Sequence, residues 1–107
     1  MAVENQVIVV AVMHVKPDRR REVQDALLRQ VAAVHADEPG ALLFAAHATA
    51  DGFVLVEKWD SAESLKAHTT GKAISAFRAV LDSNQSKPSE ILTMTAIPGG
   101  DPAKGHL

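Results

Sequence analysis

The fold of this chain is decided by the stretch Phe53-Val54-Leu55-Val56-Glu57-Lys58-Trp59, which follows a turn sequence at Asp51-Gly52. Its β-branched and aromatic composition predicts a strand that is mostly buried. Trp59 is the only tryptophan, and Asp60 after it is the predicted N-cap of a helix, with Glu63 at the reciprocal position of a capping box. The sequence therefore places an aromatic ring where a strand passes into a helix, a kind of junction at which ligand pockets are often built.

On both sides of this stretch, the spacing of apolar residues predicts the other elements of the fold. A helical stripe predicts a helix from Arg19 onward that stops at Asp37-Glu38-Pro39-Gly40, and a break at Thr70-Gly71 precedes a second apolar helical stripe. The remaining strands are predicted at residues 7–15, 41–47 and 89–97. The order βαββαβ predicts an α+β, ferredoxin-like fold with a four-stranded antiparallel sheet.

The strands are apolar at nearly every position, which predicts that both faces of the sheet are covered. The helices cover one face, and the economical cover for the other is a second copy of the sheet, because most homo-oligomers use a two-fold interface. We therefore predict a homodimer through the sheet face, a dimeric α+β barrel. The chain reads as one domain over residues 1–107, with a core at about 7–97 and a C-terminal tail at 98–107 that is mobile or packs on a partner subunit.

Composition excludes several classes of function. The chain has 107 residues, no cysteine and a formal net charge of -2. The lack of cysteine removes thiolate catalysis and cysteine-bound metals, and it favours a reducing, cytoplasmic location. The charge provides no basic field for a nucleic acid, and no apolar run is long enough to span a membrane. We expect a cytoplasmic protein with neither a nucleic-acid nor a membrane partner.

A resemblance to a known family rests on four pieces of sequence: Glu38-Pro39-Gly40, the stretch of residues 53–59, Ala67-His68 and Phe77. In their order and spacing they resemble the antibiotic biosynthesis monooxygenase family of dimeric α/β barrels, over roughly residues 7–97. The resemblance implies a monooxygenase that needs no cofactor and oxidises a phenolic or quinol-like aromatic to a quinone. Its partners would be a small aromatic molecule, dioxygen and a second copy of the chain.

The same resemblance implies roles for individual residues. His68 is the expected base and Trp59 the surface on which an aromatic substrate stacks, so these two are the predicted catalytic pair. Trp59, His14, Phe77 and Leu65 are the predicted substrate contacts. No metal site is predicted, because the histidines are not spaced as ligands.

Each of these residues also has a structural explanation. Trp59 can be a core residue whose indole N–H meets a carbonyl, and His68 a half-buried histidine held by the backbone. Glu57, inside an otherwise apolar strand, should pair with a lysine, an arginine or backbone donors. His14, at the end of the first strand, can equally be solvated.

Two departures from the family pattern keep other functions open. The chain has no tyrosine, and Asn5 and Asn84 are its only asparagines, whereas the aromatic-oxidising members are described with tyrosine and asparagine in the pocket. A small-molecule-binding or structural barrel without turnover is therefore the alternative. Haem degradation ranks third, because the first strand is apolar where haem-degrading members carry an asparagine.

Overall fold

A computed structural model describes residues 5–107, so the first four residues of the predicted domain lie outside the described residues. The strands are β1 (Val7–Val15), β2 (Ala41–Thr49), β3 (Gly52–Trp59) and β4 (Gln85–Met94), and the helices are α1 (Arg20–Asp37), α2 (Ala62–Thr69) and α3 (Lys72–Leu81), with a 3-10 turn at Pro17–Arg19. This order confirms the predicted α+β, ferredoxin-like plan, with the second helical region divided where the Thr70-Gly71 break was predicted. Within residues 5–107 no helix is both long and apolar enough to cross a membrane.

The sheet has the strand order β2-β3-β1-β4, and every neighbouring pair is antiparallel. The central strands β1 and β3 are the two most apolar, as expected for strands with a neighbour on each side. Glu57 and Trp59 of β3 pair with Val9 and Val7 of β1, so their side chains project from the same face of the sheet. The helices pack on that face.

The core lies between this face and the helices. Val23 and Val34 of α1 have no exposed surface, and Leu27 between them is 1 % exposed, which confirms the predicted apolar stripe. Gln30 interrupts the stripe, and it is only 4 % exposed. The sheet and α3 supply the facing residues, among them Val9, Met13, Phe44, Phe53, Leu55, Trp59, Phe77 and Leu81.

The N-cap of α2 differs from the prediction. Ser61, not Asp60, caps the helix: its backbone is extended and its hydroxyl oxygen accepts from the Ser64 N–H at 3.1 Å. Asp60 donates through its N–H to the carbonyl of Gly40, in the turn before β2, at 2.9 Å. Its carboxylate accepts from the Ser61 and Ser64 hydroxyls instead of capping the helix.

The last strand also differs from the predicted range of 89–97. β4 begins at Gln85, where it pairs with Val15, and ends at Met94, opposite Ile8. Its polar first half remains a strand because β4 is an edge strand, where one side faces solvent and Pro88 is tolerated. The strand stops at Met94 because β1 offers almost no further residues with which to pair.

The second face of the sheet is apolar and carries no helix. We call it the open face, and its residues include Val10, Val12, Val54, Val56 and Leu92. Leu92 is 59 % exposed. The tail of the chain returns to this face, where the Lys58 ammonium donates to the Leu107 carbonyl at 2.7 Å.

Gly52 gives a direct test of the close packing at the start of β3. A Cβ at this position would collide with the Met13 carbonyl oxygen, a backbone atom that cannot move aside alone. We expect Gly52→Ala to lower the free energy of unfolding by about 1–3 kcal/mol, as overpacking does. Urea denaturation followed by circular dichroism measures this change.

Gly99→Ala is the matched control, because nothing lies within 4 Å of a Cβ built there. Its midpoint of denaturation should match that of the natural protein. Equal midpoints for the two alanine variants would contradict the tight β1–β3 approach.

Candidate functional site

Two buried side chains of β3 are joined by a hydrogen bond. The Trp59 indole N–H donates to Glu57 Oε1 at 2.9 Å, and the two residues are 1 % and 5 % exposed. Their spacing of two along the strand places both on the helix side of the sheet. The prediction that Glu57 pairs with a lysine, an arginine or backbone donors is therefore wrong. Its partner is the neighbouring indole of Trp59, a donor that carries no charge.

His68 is the buried residue of α2, with 2 % of its surface exposed. Its Nδ1 lies 2.7 Å from Glu38 Oε1. Because an ionised carboxylate can only accept, we assign the proton to Nδ1, which makes Nε2 the ring atom with a free lone pair. The hydrogen-bond partner of His68 is therefore a carboxylate. The backbone partner that a purely structural role predicted for this histidine is not the one observed.

Two aromatic rings fix the plane of the imidazole. The Trp59 ring lies against it, with centroids 4.7 Å apart and planes tilted by 33°. The Phe44 ring meets it edge-on at 5.3 Å. Nε2 of His68 is buried and makes no hydrogen bond to any residue between 5 and 107. Glu38, Trp59 and Phe44 therefore fix the imidazole ring, and Nε2 remains available to form a hydrogen bond.

Burial raises the pKa of the Glu57 carboxyl above its ordinary value. The hydrogen bond from Trp59 lowers the pKa in part, as does the positive charge that His68 carries when it is protonated, and the negative charge of Glu38 raises it further. The net direction is upward, so Glu57 keeps its proton to a higher pH than an exposed glutamate. A carboxyl that can be protonated near a free imidazole nitrogen can supply both an acid and a base.

Two cavities meet at His68. The larger one, the helix cleft, has a volume of about 760 Å³ and runs between α1 and α3, past small and charged residues such as Ala33, Ala76, Arg29 and Lys72. The smaller one, the sheet cavity, has about 280 Å³ and lies between the sheet and the helices α2 and α3. The wall residues that line both are Gln30, His68 and Phe77.

The sheet cavity has the character of a ligand site. Most of its wall surface is apolar, from Val9, Ala11, Met13, Leu55, Leu65, Ile74, Phe77 and Leu81, and the charged residues Arg78 and Asp82 also line it. Within the part of the chain that the structure describes, three buried side-chain atoms lack a hydrogen-bond partner: Gln30 Oε1, His68 Nε2 and Ser89 Oγ. All three belong to residues that line this cavity, as does Glu57. An apolar cavity with a few convergent polar groups is the usual form of a small-molecule site.

The predicted site residues divide into two groups. His68, Leu65 and Phe77 line the sheet cavity together. Trp59 lines only the helix cleft and is 1 % exposed, so it has no free ring face for a stacked ligand, and its contact is with His68. The stacking contact expected for Trp59 is therefore replaced by a packing contact that positions the imidazole.

His14 lies apart from these residues. It alternates with Met13 and Val15 of the core, so its side chain is on the open face, where its Nε2 lies 2.7 Å from Glu90 Oε2. This hydrogen bond lowers the pKa of the Glu90 carboxyl. The expected substrate contact from His14 is thus separated from His68 by the sheet itself.

Two residues of the cavity were missed from the sequence. Gln30 had a readable signal, since it is a polar residue inside the apolar stripe of α1, three positions after Leu27 and four before Val34. Ser89 had none, because it lies among polar residues, and only the pairing of β4 with β1 brings it to the cavity.

Comparison with known proteins identifies the family. The family model for antibiotic biosynthesis monooxygenases matches residues 6–80, so the chain belongs to this family, as its sequence indicated. No curated protein matches the chain significantly.

The fold recurs in solved structures. A Caulobacter crescentus protein described as a candidate antibiotic biosynthesis monooxygenase has 24% identity and a TM-score of 0.83, over 89% of this chain and 92% of that one. A Mycobacterium tuberculosis protein has 21% identity and a TM-score of 0.81, over 90% of this chain and 99% of that one. At these identities the likeness demonstrates the fold alone.

The raised pKa of Glu57 predicts how stability varies with pH. A group whose pKa is higher in the folded than in the unfolded state makes folding less favourable as pH rises through the interval between the two values. Glu57→Gln removes this effect and keeps a side-chain oxygen for Trp59. The melting temperature of the variant, relative to the natural protein, should therefore increase as pH rises from about 4 to 8.

Glu63→Gln is the control for this comparison, because Glu63 is exposed in the first turn of α2. Its melting temperature relative to the natural protein should show no comparable rise. A Glu57→Gln difference that stays constant over the whole pH range would contradict the raised pKa.

Proposed function

We propose that this protein is a monooxygenase that needs no cofactor and oxidises a hydroxylated aromatic to a quinone, with the sheet cavity as its substrate site. The single observation that carries the proposal is His68: Nδ1 is held by Glu38, while Nε2 is buried without a partner among the described residues on the wall of an apolar cavity. This is the arrangement of a general base whose orientation is imposed by a carboxylate. Family membership supports the reaction class.

The first step is removal of a phenolic proton. The substrate hydroxyl donates to His68 Nε2 and transfers its proton there, and Glu38 stabilises the resulting imidazolium through Nδ1. The apolar part of the lining limits the number of water molecules that can solvate the phenolate beside His68. The product of this step is an electron-rich ring.

The second step uses dioxygen and needs no external reductant. The phenolate ring passes an electron to dioxygen, and the two radicals combine at the carbon para to the oxygen, forming a C–O bond. The hydroperoxide then loses water: its O–O bond breaks, the ring C–H bond gives up its hydrogen as a proton, and a carbonyl forms. A phenol and one dioxygen thus become a quinone and one water. The proton that converts the peroxide into the hydroperoxide is the one that His68 took from the phenol, and the ring proton completes the departing water.

A second candidate is a binding protein without turnover. It is favoured by the asparagines, because Asn84 donates to the Val80 carbonyl at 2.7 Å and Asn5 is exposed, so neither serves the sheet cavity. Only a measurement of oxygen consumption separates the two candidates, since both use the same cavity.

The open face enters the proposal as the surface for a second copy. Val54 and Val56 at its centre and Leu92 beside them form an apolar patch on a sheet that has helices on one side only. Packing two such faces together buries both patches and completes a dimeric barrel, the arrangement that the family implies. The sheet cavity lies on the opposite face and stays accessible.

His68→Gln tests the base. Glutamine keeps a polar group at this position but cannot accept a proton, so kcat should fall about 10²–10⁴-fold. The assay follows oxygen consumption and quinone absorbance with a panel of naphthols and naphthalenediols. His35→Gln is the control: His35 at the end of α1 donates to the Phe44 carbonyl, a bond that glutamine can retain. Its rate should be unchanged.

Oxidation at the natural rate in the His68→Gln variant would overturn the assignment of the base. Ligand-induced thermal stabilisation of the natural protein, without oxygen consumption for any member of the panel, would instead establish the binding protein.

Leu92→Lys tests the dimer. A lysine on the open face should leave each subunit folded but disfavour the dimer, because two charges would be buried at the two-fold interface. The mass in solution, measured by light scattering, should fall from dimer to monomer. The control is Leu28→Lys, since Leu28 is 52 % exposed on α1 and away from the open face. Monomeric natural protein would contradict the proposed assembly.

A further inference from the structure

We infer that Gln30 and Ser89 bind the two ends of one elongated ligand that carries a polar oxygen at each end. The inference rests on the proposed function only for the position of the reacting hydroxyl at His68. Its basis is the location of the unpaired atoms, since Gln30 Oε1 and Ser89 Oγ are buried and without a hydrogen-bond partner within residues 5–107. Both residues line the sheet cavity.

Gln30 belongs to the His68 end of the cavity. The two residues share the wall that separates the sheet cavity from the helix cleft. A half-turn of the glutamine amide exchanges its oxygen and its NH₂, so Gln30 can present either to the cavity. With the NH₂ inward, Gln30 donates to the same substrate oxygen that gives its proton to His68. A phenolate oxygen formed there would then have two donors, the imidazolium N–H and the amide.

Ser89 belongs to the far end. It lies on β4, whereas Glu57 lies on β3, and β1 runs between them. Two strand spacings separate these strands by about 10 Å. There is also an offset along the strands. Glu57 pairs with Val9 of β1, whereas Glu90, the neighbour of Ser89, pairs with Val12. Three residues of β1 separate these two pairs, which is roughly 10 Å. A ligand that meets both ends is therefore longer than a single ring.

The unpaired atoms also indicate that the two residues serve a ligand and not the fold. A buried polar group without a partner destabilises the folded protein, so an apolar residue of similar shape would be the better choice for stability alone. Gln30 is 4 % exposed on the most buried side of α1, where the neighbouring stripe residues are aliphatic. A hydroxyl group of a bound ligand would satisfy either group, because it can donate to Gln30 Oε1 and can donate to or accept from the Ser89 hydroxyl.

Anaerobic titration calorimetry with 2,6-dihydroxynaphthalene and 2-naphthol tests this inference. The natural protein should bind the diol about 3- to 10-fold more tightly, the effect of one additional buried hydrogen bond. Ser89→Ala should weaken the diol by that factor and leave the naphthol unchanged. Gln30→Leu should weaken both ligands by similar factors, because it acts on the oxygen that the two ligands share.

The matched controls are Ser75→Ala on α3 and Gln24→Leu on α1, which replace exposed residues of the same types. Neither control should alter the affinity for either ligand. If Gln30→Leu does not fold, Gln30→Met replaces it, because methionine is unbranched and adapts to irregular core space. In the absence of ligand, both cavity variants should melt at or above the temperature of the natural protein.

Equal affinity of the natural protein for the diol and the naphthol would overturn the inference. It would also be overturned if Ser89→Ala and Gln30→Leu lowered the melting temperature but left the affinity for the diol unchanged. The titrations exclude oxygen and are therefore independent of turnover. The expected binding pattern without any oxygen consumption in air would overturn the proposed reaction and support the two-ended site. Turnover that depends on His68 but has the same rate in Ser89→Ala and Gln30→Leu would support the proposed reaction and overturn the two-ended site.

Discussion

The hydrogen bond between His68 and Glu38 is the interaction on which the site depends. It ties α2, a helix of eight residues, to the segment that leads from α1 into β2. A buried imidazole without such a partner would be costly, so this bond makes the burial of His68 possible and also sets which ring nitrogen is free. Together with the packing of His68 on Trp59 and Phe44, this contact holds in place one wall residue that both cavities share.

A second buried hydrogen bond joins the Trp59 indole to Glu57, and the burial of this pair raises the pKa of the Glu57 carboxyl. A carboxyl in the middle of a sheet adds less to stability than an aliphatic residue would, because its desolvation opposes ionisation. The indole N–H satisfies one oxygen without adding a charge, so the pKa of Glu57 stays raised. The same packing thus places a carboxyl with a raised pKa near His68, at a position where the core would otherwise favour an apolar residue.

Much of the fold was predictable because local periodicity survives in the structure. β1 was predicted with its observed bounds, and α1 to within one residue, since long apolar patterns dominate weaker local preferences. The errors occurred where tertiary contacts override local signals. The N-cap is Ser61 and not Asp60, whose carboxylate accepts from the Ser61 and Ser64 hydroxyls. β4 begins at Gln85 because pairing with β1 extends over polar residues. Neither effect can be read from a window of neighbouring residues.

The sequence by itself determined the element order and the apolar core through the spacing of its apolar residues, and its resemblance to the family singled out the candidate pair Trp59 and His68. Only the tertiary structure decided how that pair is used. Folding covers the face of Trp59 with His68, puts His14 on the other side of the sheet, and brings Gln30 and Ser89, 59 positions apart in the chain, to one cavity. The physical reason is that hydrogen-bond satisfaction and burial depend on distance in space, and residues that are remote along the chain decide which polar atoms remain free.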